Sequence, residues 1–191
     1  AIFGYFYSIE IGTCDKRLEN NFFTALFHDL PEALTRDIIS PVKYSVDELA
    51  DIISEYEITK IEDDILPNVP HTIKKEFSYL LGLYDGVKDE FLDKIIDNGT
   101  IKVVDNVHKY DEDKYEAIDG LALKQCDKLS AFIEASLSIS HGIKSNELVN
   151  GKKQILNGLK TINGVDFKAI AKEIDLAFGT TGQTQSSFDF D

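Results

Sequence analysis

Residues 18–37 read LENNFFTALFHDLPEALTRD, and an apolar helical stripe runs through their first half. The apolar residues recur at three- and four-residue steps, which is the spacing of one face of an α-helix: Leu18, Phe22, Phe23, Leu26 and Phe27. The stripe leads directly into His28 and Asp29. Pro31 lacks a backbone donor and disfavours helix at the residue before it, so we expect the helix to end or kink there.

Helical periodicity also dominates the rest of the chain, and strand alternation is almost absent. The expected helices span about residues 2–10, 18–27, 31–34, 46–65, 71–81, 88–96, 115–140, 146–159 and 166–178. Asn98 and Gly99 are interpreted as the end of the sixth of these helices. Residues 100–112 could form a short strand or an irregular arm. The sequence therefore predicts an all-α, single-domain helical bundle over residues 1–178 and a flexible polar tail over residues 179–191.

Composition limits the classes of function. The 191 residues include 34 acidic and 20 basic side chains, which gives a net charge of -14. Such acidity argues against binding of a nucleic acid polymer, but a bound divalent cation could still attract a small anionic substrate. We expect no membrane partner, because no apolar run approaches the 18 or so residues of a membrane span. With two cysteines and no signal-peptide pattern, the chain is expected to be cytoplasmic.

The adjacent His28 and Asp29 at the end of the apolar helix are the first candidate site. An unpaired carboxylate is costly to bury, and a divalent metal ion would satisfy both side chains. Imidazole nitrogen and carboxylate oxygen together suit Mn, Fe, Co, Ni or Zn better than Ca. The alternative is that the two residues cap the helix C-terminus, where a His is favourable but an Asp is not.

Two more carboxylates follow on the same stretch. Glu32 comes three residues after Asp29, so a continued helical turn would hold its carboxylate beside the same pair. Asp37 comes five residues after Glu32. In so acidic a chain, both could instead belong to a solvated loop.

Asp127 is a distant candidate for the same site. It lies in the middle of the long helix expected over residues 115–140, where Asp has poor helix propensity and no cap to make. It is either a remote metal ligand or the surface partner of Lys124 or Lys128.

Two blocks of the chain together resemble the HD-domain metal-dependent phosphohydrolases. The first block, residues 28–44, reads HDLPEALTRDIISPVKY and carries the pattern HDxxExxxxD followed by Pro-Val-Lys. The second, residues 124–147, reads KQCDKLSAFIEASLSISHGIKSNE. More narrowly, the blocks are similar to the branch that acts as 5'-deoxyribonucleotidases on nucleoside monophosphates. The resemblance implies a helical fold of the HD-domain type.

The resemblance also implies a ligand set for one divalent transition metal ion. Residues that match His28, Asp29 and Asp127 are metal ligands in that family, and one earlier His on the first helix completes the set. No His occurs within residues 1–27. The fourth ligand is therefore expected upstream of Ala1.

Roles in catalysis follow from the same resemblance. The residue that matches Glu32 is proposed in that family to handle protons for the attacking water, and the one that matches Asp37 is needed for activity. Lys43, Arg36 and Lys124 could offer positive charge to a phosphate, or could be solvated cations.

The expected function is hydrolysis of the phosphomonoester of (deoxy)nucleoside 5'-monophosphates, with a small-molecule nucleotide as substrate. A homodimer is possible, because exposed apolar helix faces would favour one. Two alternatives stay open. The chain could carry another HD activity, such as nucleotide pyrophosphohydrolase or cyclic-nucleotide phosphodiesterase, or it could be a degenerate HD scaffold that binds a nucleotide without turnover.

Overall fold

Helices form most of the protein, with three small antiparallel sheets between them. The computed structural model describes residues 1–35, 49–84, 87–143 and 145–181. The α-helices in these ranges are α1 (Ile2–Ile11), α2 (Asp15–Phe27), α3 (Glu32–Thr35), α4 (Leu49–Lys60), α5 (Lys74–Leu80), α6 (Gly120–Ser140), α7 (Asn146–Gly158) and α8 (Phe167–Thr181). A π-helical turn, Ile61–Ile65, continues α4, and 3-10 turns occur at Leu66–Asn68, Val107–Tyr110 and Asp113–Tyr115.

The strands are short. They are β1 (Leu83–Tyr84), β2 (Val87–Lys88), β3 (Asp93–Asp97), β4 (Thr100–Val103), β5 (Ile118–Asp119), β6 (Thr161–Ile162) and β7 (Val165–Asp166). β1 pairs with β2 and β6 with β7, and the remaining three form a sheet in the order β4-β3-β5. The prediction of a helical fold is confirmed, but the all-α assignment is only approximate.

The helix predicted over residues 88–96 is wrong. Most of that segment belongs to β2 and β3, and Asn98-Gly99 is the two-residue turn of the β3–β4 hairpin, since Asp97 pairs with Thr100. Asn98 and Gly99 both have positive φ, 51° and 77°, as a type I' hairpin turn requires. The dipeptide interpreted as a helix end is therefore a hairpin turn, and the possible strand after it is β4.

The C-terminal boundary also differs from the prediction. α8 extends through Thr181, three residues beyond the end expected at residue 178. Residues 182–191 of the predicted tail lie outside the described residues. Among those that are described, no helix is long and apolar enough to cross a membrane.

The long helix α6 is the centre of the bundle. Its buried face packs against α1, α7 and α8 in a core of the following residues: Tyr7, Ala122, Cys126, Leu129, Phe132, Leu159, Phe167 and Ala171. A second cluster joins Leu123 of α6 to Ile118 of β5 and to Tyr79 and Leu80 of α5. α6 is therefore held from both sides, and its exposed stripe is free to contribute to a site.

A buried ion pair joins the beginning of α2 to the beginning of α6. Arg17 is fully buried and donates two hydrogen bonds to Asp119, from Nε at 2.8 Å and from Nη2 at 2.6 Å. Asn21 adds a reciprocal contact, because its Nδ2 donates to Asp119 Oδ2 at 2.7 Å and its Oδ1 accepts from the Asp119 amide at 2.9 Å. Such a bidentate pair, braced by Asn21, fixes two elements in both distance and orientation.

Gly120 brings another segment against the start of α6. A Cβ at this position would lie 2.3 Å from the Leu92 carbonyl oxygen and 2.4 Å from the Phe91 carbonyl carbon. Only glycine permits this backbone approach. The contact holds the backbone of Phe91 beside the start of α6.

We expect Arg17→Met to destabilise the fold by about 3–5 kcal/mol, because it leaves the Asp119 carboxylate buried without its cation. The free energy of unfolding in urea would measure the loss. The matched control is Lys102→Met, which breaks the exposed Lys102–Asp97 pair and should change stability by no more than about 0.5 kcal/mol. Equal losses in the two variants would show that the buried pair does not hold the fold together.

Candidate active site

His28 follows the last residue of α2 and keeps helical backbone angles, φ -56° and ψ -38°. Its Nδ1 lies 3.1 Å from the Ala25 carbonyl oxygen. A carbonyl only accepts hydrogen bonds, so Nδ1 carries the proton and donates. In the neutral ring, Nε2 is then left with a free electron pair, which is the state that binds a metal ion.

The Nε2 atom of His28 faces two carboxylates. It lies 3.1 Å from Asp29 Oδ2 and 3.5 Å from Asp127 Oδ1. Neither contact has hydrogen-bond geometry, and Nε2 is buried without a hydrogen-bond partner. The structure therefore brings together the three residues that the sequence had proposed as ligands, one pair from the end of α2 and one acid from α6.

Burial and charge act in opposite directions on His28. Burial lowers its pKa, but the neighbouring Asp127 and Asp29 carboxylates, together with the charge of Glu90, outweigh burial and raise the pKa above its ordinary value. The acidic surroundings thus favour a positive charge at this position. A bound cation would satisfy the same preference.

The three side chains border one cavity of about 280 Å³. It is lined by Ala1, Thr24, Ala25, His28, Asp29, Phe91, Leu123, Cys126, Asp127, Ser130, Ala131 and Glu134. The side chain of His28 is 17% exposed, whereas those of Asp29 and Asp127 are 61% and 48% exposed. The carboxylates therefore stand nearer the mouth, and the imidazole lies deeper.

The cavity is acidic. Its titratable side chains from the described part of the chain are His28, Cys126 and the three acids Asp29, Asp127 and Glu134, and no lysine or arginine lines it. Burial raises the pKa of the Cys126 thiol to about 12, so it stays protonated and is a poor nucleophile. A phosphate dianion would be repelled here unless a cation came with it.

The residues present fit a divalent metal ion in kind. Two ligands of one ion lie about 3.0–3.5 Å apart, because each metal–ligand bond is about 2.0–2.2 Å long. The separations from His28 Nε2 to the two carboxylates fall in or near that range. Within the described ranges, however, no three His, Cys, Asp or Glu side chains form a group that could hold an ion as they stand. The role of His28, Asp29 and Asp127 as metal ligands therefore stays a prediction.

The structure does not pair Asp127 with a neighbouring lysine on the surface of α6. Neither Lys124 nor Lys128 forms an ion pair with Asp127, whose ion-pair contact is with His28. The Lys124 ammonium instead lies 5.7 Å from the centre of the Phe91 ring. Phe91 lines the cavity, whereas Lys124 does not.

Of the remaining residues predicted from the first sequence block, the structure describes Glu32. Glu32, the first residue of α3, is partly buried, and its amide donates to the Asp29 carbonyl at 3.0 Å, but it does not line the cavity. Arg36, Asp37 and Lys43 lie outside the described residues. The His expected upstream of Ala1 is not tested either, although Ala1 itself lines the cavity.

The cavity is also lined by residues that were not predicted for the site, among them Thr24, Phe91 and Glu134. Thr24 precedes His28 by four residues, and Glu134 follows Asp127 by seven. Since residues at these spacings lie on one face of a helix, the sequence could have placed Thr24 beside His28 and Glu134 beside Asp127. Phe91 had no such signal, because its segment was assigned to a helix. Its ring meets that of His28 edge to face, at 5.8 Å between centroids.

A cluster of buried charges precedes Phe91 in the chain. The Lys88 ammonium is 3.4 Å from Glu57 Oε2 and 3.2 Å from Glu90 Oε2, and all three side chains are less than one sixth exposed. The cluster ties α4 to β2 and to the residue before Phe91. It therefore helps to fix the chain segment that leads into Phe91, which lines the cavity.

Comparison with known protein families gives a match over most of the chain. A family model described as an HD domain matches residues 1–156, which include every residue that lines the cavity. No curated protein and no solved structure matches this chain.

Asp127→Asn should lower the pKa of His28, because a neutral amide no longer stabilises the imidazolium. An NMR titration of the His28 ring in the presence of a chelator would measure it, with Asp175→Asn on α8 as the control that leaves it unchanged. The raised pKa stabilises the folded state at acid pH, and this stabilisation is lost as pH rises through the pKa of the folded protein. The loss should be smaller in Asp127→Asn, and an unaltered His28 titration would contradict the contact.

Proposed function

Because the chain belongs to the HD-domain family, whose members are in general metal-dependent phosphohydrolases, we propose that it hydrolyses (deoxy)nucleoside 5'-monophosphates at the phosphomonoester bond. The observation that carries the proposal is the meeting of His28 and Asp29, from one end of α2, with Asp127 of α6 at one cavity. The same three residues belong to the two sequence blocks that resemble the 5'-deoxyribonucleotidases.

His28, Asp29 and Asp127 would hold one divalent transition metal ion, Mn, Co, Fe, Ni or Zn, together with the His predicted upstream of Ala1. When bound, such an ion polarises a phosphoryl oxygen and acidifies water. The Ala25 carbonyl keeps the proton of His28 on Nδ1, so that Nε2 faces the cavity as a donor of electrons. The ring is thereby oriented before any ligand arrives.

The negative charge of the protein favours binding of an anionic substrate only together with a cation. With three acids around the cavity and a net charge of -14, the protein repels a free phosphate dianion. Lys124, whose ammonium lies 5.7 Å from the centre of the Phe91 ring, is proposed to meet the phosphate oxygens of the substrate. Arg36 and Lys43 are proposed for the same task on the grounds of the sequence alone.

Proton transfer is assigned to Glu32, and Asp37 is proposed as a second required acid. Glu32 is one turn beyond Asp29 and is joined to it through the backbone hydrogen bond, so it stays close to the site although it does not line the cavity. It would take a proton from the attacking water and return one to the leaving ester oxygen. Both assignments follow from the resemblance of residues 28–44.

The size of the cavity favours a small terminal phosphate. At about 280 Å³, the space bounded by the described residues is just below the range of pockets that enclose whole drug-sized ligands. A phosphoryl group with its bound water fits such a space. The nucleoside would then lie at the mouth, near Phe91 and Lys124.

One observation favours a second candidate, a degenerate HD scaffold that binds a nucleotide without turnover. The described residues supply no complete metal-binding group, and no His occurs in residues 1–27. Other HD activities on pyrophosphate or cyclic phosphate bonds would be separated from the main proposal by a panel of mono-, di- and cyclic nucleotides assayed with Mn²⁺ or Co²⁺.

The homodimer and the cytoplasmic location also stay proposals. Exposed apolar side chains recur on one side of α1, at Ile2, Phe6 and Ile9, and they support self-association. Both cysteines are free thiols, as the proposed reducing compartment would have them.

Asp127→Ala should lower the amount of bound metal, because it removes one of the three donors. Emission spectroscopy on protein loaded with Mn²⁺ measures the stoichiometry, and Glu62→Ala, at an exposed acid remote from the cavity, is the control. Full metal retention in Asp127→Ala would mean that this carboxylate is structural.

Glu32→Ala should keep the metal and lose turnover by about two orders of magnitude or more, as expected when a proton-transfer group is removed. Release of inorganic phosphate from deoxyadenosine 5'-monophosphate, together with metal stoichiometry, tests the two halves of the prediction. Unchanged turnover would remove Glu32 from the mechanism, and loss of the metal would reassign it to the ligand set.

A further inference from the structure

We propose that Phe91 is a positioning residue of the candidate metal centre. Its ring fixes the plane of the His28 imidazole and thereby keeps Nε2 aimed at the carboxylates of Asp29 and Asp127. The proposal rests on the metal-dependent function proposed above. Phe91 lies between β2 and β3, outside both sequence blocks that resemble the 5'-deoxyribonucleotidases.

The hydrogen bond of the His28 ring does not by itself fix the direction of Nε2. This bond, from Nδ1 to the Ala25 carbonyl oxygen, is 3.1 Å long. A carbonyl oxygen accepts hydrogen bonds over a broad range of directions, so the imidazole plane could still tilt. Nε2, on the other side of the ring, has no hydrogen-bond partner among the described residues. A second contact with the ring would therefore decide where the electron pair of Nε2 points.

Phe91 makes such a contact. Its ring meets the His28 ring edge to face, with 5.8 Å between the centroids and 61° between the planes. The separation is within the roughly 4.5–7 Å of favourable aromatic pairs. Both side chains line the cavity, and that of His28 is only 17% exposed. Since a tilt of the imidazole would disturb this packing, the Phe91 ring opposes it.

Phe91 is itself held in place. Its amide donates to Asp89 Oδ1 at 2.8 Å. Its carbonyl carbon lies where Gly120 allows the closest backbone approach, and the residue before it, Glu90, pairs with Lys88 at 3.2 Å. With the backbone fixed, two side-chain torsions remain to the ring. The ring can therefore act as a rigid support for its neighbour.

The benefit of this support would appear in the affinity for a metal ion. A ligand that already has its bound orientation loses little freedom when the ion arrives, and outer contacts of a ligating His contribute to metal affinity for this reason. Phe91 carries no donor atom, so it acts only through His28. A ring that merely filled space would influence the stability of the fold and leave the affinity unchanged.

The variants Phe91→Leu and Phe91→Tyr separate the aromatic contact from apolar bulk. Phe91→Leu should weaken binding of Co²⁺ to the full chain about 3- to 10-fold, which is the size expected for the loss of one aromatic pair. Phe91→Tyr keeps the ring and should bind Co²⁺ as the wild type does. Isothermal titration calorimetry measures both. The matched control is Phe22→Leu, the same change at a partly buried phenylalanine of α2 that does not line the cavity.

NMR of the metal-free protein gives a readout that depends neither on activity nor on metal. We expect nuclear Overhauser effects between the Phe91 and His28 ring protons in the wild type. In Phe91→Leu, those from the His28 ring to the Asp127 side chain should weaken as the imidazole plane is released. Phe22→Leu should leave them unchanged.

Equal Co²⁺ affinity in Phe91→Leu and the wild type would overturn the proposal, as would an equal loss in Phe91→Leu and Phe91→Tyr. If Co²⁺ affinity depends on the ring but the wild type hydrolyses no phosphomonoester, the positioning role stands and the proposed function fails. If the wild type binds no Co²⁺, both fail.

Discussion

The ion pair between Arg17 and Asp119 is the interaction on which the site depends. Both residues are at the beginning of their helices, and from them α2 and α6 lead in the same chain direction toward the cavity. His28 is eleven residues beyond Arg17, about 16 Å along α2, and Asp127 is eight residues beyond Asp119, about 12 Å along α6. A pair that is hydrogen-bonded twice, with Asn21 bracing it, sets the relative position of the helices at one end. The contact between His28 and Asp127 lies at the other end of the same two helices.

The cavity carries an excess of negative charge that the described side chains do not neutralise. Two carboxylates face an imidazole nitrogen that has no hydrogen bond, and Glu90 and Glu134 add further negative charge nearby. Without a ligand, the surroundings raise the pKa of His28. With a divalent cation, the same charges would be matched, and an anionic substrate could enter a protein that otherwise repels it. The rest of the lining includes neutral groups, among them Thr24 and Phe91, the latter held by the close approach at Gly120.

Much of this arrangement could be predicted from local signals, and the failures have identifiable causes. The apolar spacing before His28 predicted α2, and the poor fit of Asp127 to a helix interior marked it as a candidate ligand. The β3–β4 hairpin was missed because Asn-Gly is compatible with both a helix end and a type I' turn, and only the pairing of Asp97 with Thr100 distinguishes them. Arg17 gave no signal at all, since an arginine near the start of a helix is ordinarily a surface residue.

The sequence by itself determined which residues are chemically out of place: a His-Asp pair ending an apolar helix, and an acid inside another. Periodicity and propensity act over a few residues, so they place such groups on a helix face and go no further. The tertiary structure alone decided that the two helices bring these groups within 3.5 Å of each other, and that Thr24 and Phe91 share their cavity. The physical reason is that burial of Arg17 with Asp119 and packing around α6 depend on contacts between residues about a hundred positions apart, which no local pattern encodes.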